Sequence, residues 1–151
     1  MSFKRLGTGD KVAAAGGVLL FISLFIPWYS VTGDENLCGS GEVNCSAFQT
    51  FSLLDILLVA AAAAPLILVW IVVRGHELSW PPGEVTMIVG AIATTLIVYN
   101  GVVDRVGENR NFVDLDLGWL LGLIGALAII VGGGISQVRR GGVVRRPPGT
   151  F

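Results

Sequence analysis

Charged residues divide this chain into four long uncharged runs. Lys11 to Asp34 encloses 22 residues, Asp55 to Arg74 encloses 18, Glu84 to Asp104 encloses 19, and Asp116 to Arg139 encloses 22. A bilayer core about 30 Å thick is crossed by about 20 apolar residues rising ~1.5 Å each, so every run has spanning length. In lipid the backbone must satisfy its own hydrogen bonds, which makes helices the expected form. Uninterrupted apolar stretches such as 56–64 lack the alternation of a membrane β-strand. The pattern predicts an all-α integral membrane protein, a single four-helix transmembrane bundle with spans near 12–31, 52–73, 85–103 and 117–138. The remaining segments are short: a loop over 32–50, a turn near 75–83, a loop over 104–116 and a tail over 139–151. None of them has room for a second domain.

Local signals agree with these boundaries. Pro81, Pro82 and Gly83 punctuate the middle turn, and Glu84 follows where a carboxylate suits the start of a helix. The first run has Lys4 and Arg5 before it, but it exceeds the 7–15 residues of a signal-peptide core and no A-x-A site follows. It is therefore expected to be retained as a span, with Ile26-Pro27-Trp28-Tyr29 as its membrane-interface end. Composition supports the class. Of 151 residues, 53% are apolar and 14% charged, against about 25% charged in soluble domains. Mean hydropathy is +0.74, and a disordered chain is excluded on the same numbers.

Charge sets the expected orientation. With both termini cytoplasmic, the inner side holds Lys4, Arg5, Lys11, Arg74, Arg139, Arg140, Arg145 and Arg146, and the outer side only Arg105 and Arg110. That is a strong positive-inside bias carried by short segments, which suits the cell membrane. Asp34, Glu35, Glu42, Asp104, Glu108, Asp114 and Asp116 fall outside. Trp28, Tyr29, Tyr99 and Trp119 are expected as outer interface anchors and Trp70 as an inner one.

Cys38 and Cys45, the only cysteines, fall in the first outer loop. An even pair in an oxidising compartment reads as a disulfide, and Gly39, Ser40, Gly41 and Asn44 can supply its tight turns. A thiol-exchange centre lacks the Cys-x-x-Cys it would use. His76 lies on the other side of the membrane from both cysteines, so no metal site is expected. Asn44-Cys45-Ser46 also matches a glycosylation sequon, a motif short enough to arise by chance. Gly118, Gly122 and Gly125 form a small-residue row suited to close helix packing, within the bundle or between copies.

Asp55 is the ionisable residue nearest a span. It is expected to face the interior near the outer surface and to pair with Thr95, Tyr99 or Asn100, the alternative being a helix-start carboxylate in water. Arg139, Arg140, Arg145 and Arg146 are expected to meet anionic lipid headgroups, at about 1 kcal/mol each. Nucleic acid is not an expected partner, because no folded module or aromatic interleaving accompanies the charge. No nucleophile–base pair, phosphate loop or histidine cluster is present, so neither an enzyme nor a cofactor is expected.

Two resemblances follow from these residues. Four helices with Trp28, Cys38 and Cys45 at or in a larger first outer loop are similar, in topology only, to claudin-type junction proteins. The run Gly-Gly-Val-Leu-Leu-Phe-Ile-Ser-Leu-Phe-Ile-Pro-Trp-Tyr, followed by Phe48, Phe51 and Asp55, resembles small uncharacterised actinobacterial-type four-helix membrane proteins. The expected function is that of a non-enzymatic structural or accessory subunit, working through outer loops and helix faces. Its partners would be membrane lipids and a homo-oligomer or larger membrane complex. The alternative is an oligomeric channel or small transporter with its pathway between protomers.

Overall fold

The computed structural model describes residues 6–31, 44–46, 53–75, 81–103 and 113–141. Four α-helices hold most of them: α1 (Thr8–Ser23), α2 (Leu53–Arg74), α3 (Pro82–Val98) and α4 (Leu117–Gly141). Strands β1 (Pro27–Val31), β2 (Asn44–Ser46) and β3 (Val113–Leu115) form a small antiparallel sheet in the order β2-β1-β3. The expectation of an all-α chain is corrected by this sheet.

Three helical stretches are long and apolar enough to cross a membrane: Leu53–Arg74, Pro82–Val103 and Leu117–Arg139. The first predicted span, 12–31, does not hold as one helix. α1 starts earlier, at Thr8, and ends at Ser23 after 16 residues. At ~1.5 Å per residue it is about 24 Å long, short of the ~30 Å core. The cause is Pro27, which has no N–H and disfavours helical geometry at Ile26. The chain tightens through bonds from the Leu24, Phe25 and Ile26 amides to carbonyls three residues back, then becomes β1.

The buried positions recur at helical spacing: Gly9, Ala13, Gly16, Gly17, Leu20 and Ser23 on α1, and Asp55, Leu58, Ala61, Ala62 and Pro65 on α2. Gly83, Thr86, Gly90, Ala93 and Ile97 do the same on α3. Outward faces carry large apolar side chains instead, among them Phe21, Phe25, Ile67, Trp70, Ile88, Ile92, Ile124 and Val131. An apolar exterior over an interior of small residues is the arrangement that lipid favours.

α4 is the central post. A Cβ on Gly125 would lie 2.7 Å from the Leu20 amide nitrogen and 2.9 Å from the Gly16 carbonyl oxygen. One on Gly16 would meet the Gly125 carbonyl at 2.7 Å, so the two backbones touch where both lack side chains. Gly9 and Gly132 repeat the contact nearer the termini, and Gly118 and Gly122 lie under Trp28 at the sheet end. On another face, Gly133 meets Gly83 and Met87 of α3. The row Gly118, Gly122 and Gly125 therefore packs within the chain, against α1 and β1.

Candidate functional site

The sheet end of the bundle gathers most of the buried polar and aromatic groups. Trp28 and Tyr29 are adjacent on β1, yet both are fully buried. The β1–β2 register is interrupted between Pro27 and Tyr29, and such an irregularity lets neighbouring side chains escape strict alternation. Trp28 Nε1 donates to the Ser23 carbonyl at 2.7 Å, and Tyr29 Oη donates to the Asn100 carbonyl at 3.1 Å. Their expected place as interface anchors is corrected: they plug the end of the bundle. Tyr99 and Trp70 are exposed, and Arg74 stacks its guanidinium 4.4 Å from the Trp70 ring centroid.

After Val98 the helix widens into a π-helical turn, Tyr99–Val103. Side chains from β1 and α4 bond to two carbonyls at or beside this turn. Trp119 Nε1 donates to the Ile97 carbonyl at 3.0 Å, and Tyr29 takes that of Asn100. Gly101 is needed there, since a Cβ would strike the Trp119 indole. Sequence reasoning missed the turn; the only local hint was the Asn100-Gly101 pair.

Asp55 lies in the first turn of α2 and is buried, with 3% of its surface exposed. Its Oδ1 has no hydrogen-bond partner. The interior placement is as expected, whereas the expected pairing is not formed. Thr95 Oγ1 donates to the Ala91 carbonyl at 2.8 Å, and Asn100 Nδ2 to the Leu96 carbonyl at 2.9 Å. Both donors satisfy the turn before them on their own helix, a local bond that wins because it costs no interhelical ordering. Tyr99 turns outward and is 53% exposed.

The opposite end holds a second polar cluster. Asp10 Oδ2 accepts from the Gly7 amide at 3.0 Å and Oδ1 from Ser136 Oγ at 2.8 Å, tying α1 to α4. Gln137 Nε2 donates to Glu84 Oε1 at 2.6 Å, tying α4 to α3. Beside the Asp10–Ser136 bond a cavity of about 10 Å³ is lined by Asp10, Thr86, Ser136, Pro65 and Pro82, among others. That is room for a single water. Sequence reasoning had not singled out Asp10 or Ser136, because their separation in the chain gives no local signal.

Arg139 is exposed at the end of α4, and Arg140 belongs to the same helix. Arg145 and Arg146 lie outside the described residues. Cys45 sits on β2, while Cys38 and His76 lie outside the described residues, and with them the expected disulfide. Among the described residues no cluster of His, Cys, Asp and Glu could hold a metal. These features define a predominantly helical protein with three helices fit to cross a membrane. No protein family, no curated protein and no solved structure matches the chain.

Proposed function

We propose that the chain is a non-enzymatic, four-pass protein of the cell membrane with both termini cytoplasmic, serving as a structural or accessory subunit. The observation that carries this reading is the tight interior. α1 and α4 meet backbone to backbone at Gly16 and Gly125, and the cavity at the terminus end admits one water. Such a bundle offers its apolar flanks to lipid and its two ends to partners. α1 is read as the fourth crossing because, continued by β1, it follows α4, a helix of spanning length, from Gly9 beside Gly132 to Trp28 beside Gly118. The sheet end is then external, where few of the Lys and Arg residues fall, and the basic tail meets lipid headgroups inside.

Native mass spectrometry from lipid discs tests the role. A fixed-stoichiometry complex with a larger membrane protein is the expected result, while a lone monomer, or substrate turnover by the purified chain, contradicts it. Spectra recorded without reductant also read a Cys38–Cys45 disulfide, as two missing hydrogens. The second reading, a conduit between protomers, is favoured by the unpartnered Asp55 and would be supported by a closed ring of identical copies.

A further inference from the structure

Helix α2 is held differently from the other three. Side-chain hydrogen bonds tie α1 to α4 through Ser136 and Asp10, and α3 to α4 through Gln137 with Glu84 and Trp119 with Ile97. Among the described residues none ties α2 to any other element. α2 rests on α1 by packing alone, where Ala62 and Pro65 lie over Gly17. Toward α3 it leaves an open apolar groove of about 190 Å³, lined by Leu57, Ala60, Ala61, Val89 and Ile92. Its one ionisable side chain on the inward face is Asp55, buried and with Oδ1 unpartnered.

Among the described residues, no Lys or Arg lies on an element at the Asp55 end of the bundle. α1 carries Asp10 and Lys11 at the terminus end, α3 carries Glu84 there, and α4 carries Arg139 and Arg140 there. Arg74 closes α2 itself, about 30 Å along the helix at ~1.5 Å per residue. At the sheet end β1 and β2 are uncharged, and β3 with the residue after it contributes only Asp114 and Asp116. Asp116 Oδ1 is engaged by the Leu117 amide at 2.7 Å. Tyr29 directs its hydroxyl to Asn100, and Tyr99 faces outward. The flanking Leu54 and Leu58 pack in the same apolar cluster as Trp28 and Tyr29. A bare carboxylate in such surroundings costs several kcal/mol. A proton is the one cation that neutralises it without needing a cavity.

We propose that Asp55 is a proton-binding site at the outer end of the bundle, and that its proton holds α2 against the other helices. When the O–H bond breaks, the proton passes to external water and the negative carboxylate has no donor to Oδ1 among the described residues. The first turns of α2, bound by packing alone, swing out until water reaches it. Closed and open forms differ by one proton, so each pH unit above the point of release multiplies the open population by up to about tenfold. The inference takes the external placement of the sheet end from the reading above, but not the accessory role.

Infrared spectroscopy and hydrogen exchange on the full chain in lipid discs test it together. At mildly acidic pH, where an ordinary aspartate is ionised, the unaltered protein should show the carbonyl stretch of a protonated carboxyl, absent in Asp55→Asn. On raising the pH that band should vanish. Amides near the start of α2 should then exchange up to about tenfold faster per pH unit than in Asp55→Asn, after correction for intrinsic base catalysis. If Asp55→Asn fails to insert, Asp55→Leu replaces it as the reference, and the titration of the unaltered chain still reads the band. A mildly acidic spectrum without the band overturns the proposal. So does a band that survives the substitution, or an α2 equally protected in both proteins at every pH.

Discussion

Gly125 and Gly134 are both helical glycines on α4, yet they stand in opposite situations. A Cβ on Gly125 would press on the Leu20 amide nitrogen and the Gly16 carbonyl, backbone atoms that cannot step aside. At Gly134 the nearest contact is Met87 Sδ at 3.8 Å, ordinary van der Waals distance. Gly125→Ala should therefore cost about 1–3 kcal/mol through overpacking, seen as a lower thermal midpoint in detergent. Gly134→Ala should be neutral or raise the midpoint, since alanine is the better helix former by up to about 1 kcal/mol. Equal effects at the two sites would contradict the assigned seam. The glycine rows were legible as small-residue spacing, but spacing alone could not say that Gly132 meets α1 while Gly133 meets α3. Asp55 shows the same limit. Its depth followed from its place in the run, whereas its lack of a partner depended on Thr95 and Asn100 choosing their own helix.

At the scale of elements, charge-free runs located the helices, and local chemistry decided where they stop. Pro82 opens α3 as a first-turn proline should, and Gly75, at φ 79°, closes α2 in the left-handed conformation that glycine tolerates. The end of α1 was misplaced because an apolar run looks alike as helix or as buried strand. Pro27 is the signal that separates them, because it ends the helical geometry rather than marking a membrane interface. The sheet itself was hidden, since two of its strands are only three residues long and pair across large chain separations. The widened turn at Tyr99–Val103 depends on donors from β1 and α4. Removing either, by Tyr29→Phe or Trp119→Phe, should cost about 1 kcal/mol and speed amide exchange in that turn. The double variant should lose about the sum of the two, because the donors act on different carbonyls. Unchanged exchange in both single variants would mean that the turn holds itself.

The whole molecule is organised around α4, with α1 and α3 hydrogen-bonded to it and α2 leaning on α1. Its apolar exterior and sheet-capped end fit the proposal of a bundle standing across a membrane. The helical class and the three helices of spanning length were legible in the uncharged runs, because lipid imposes length and polarity rules that soluble folds escape. The number of crossings rests on α1, the helix shortened by Pro27. If α1 crosses beside α4, both chain ends lie on one side; if only the three longer helices cross, the ends lie on opposite sides. Epitope tags on the two termini of one chain, probed by antibody in intact and then permeabilised cells, measure this directly. Both tags should be hidden in intact cells and appear together on permeabilisation. A single tag exposed in intact cells would contradict the crossing of α1.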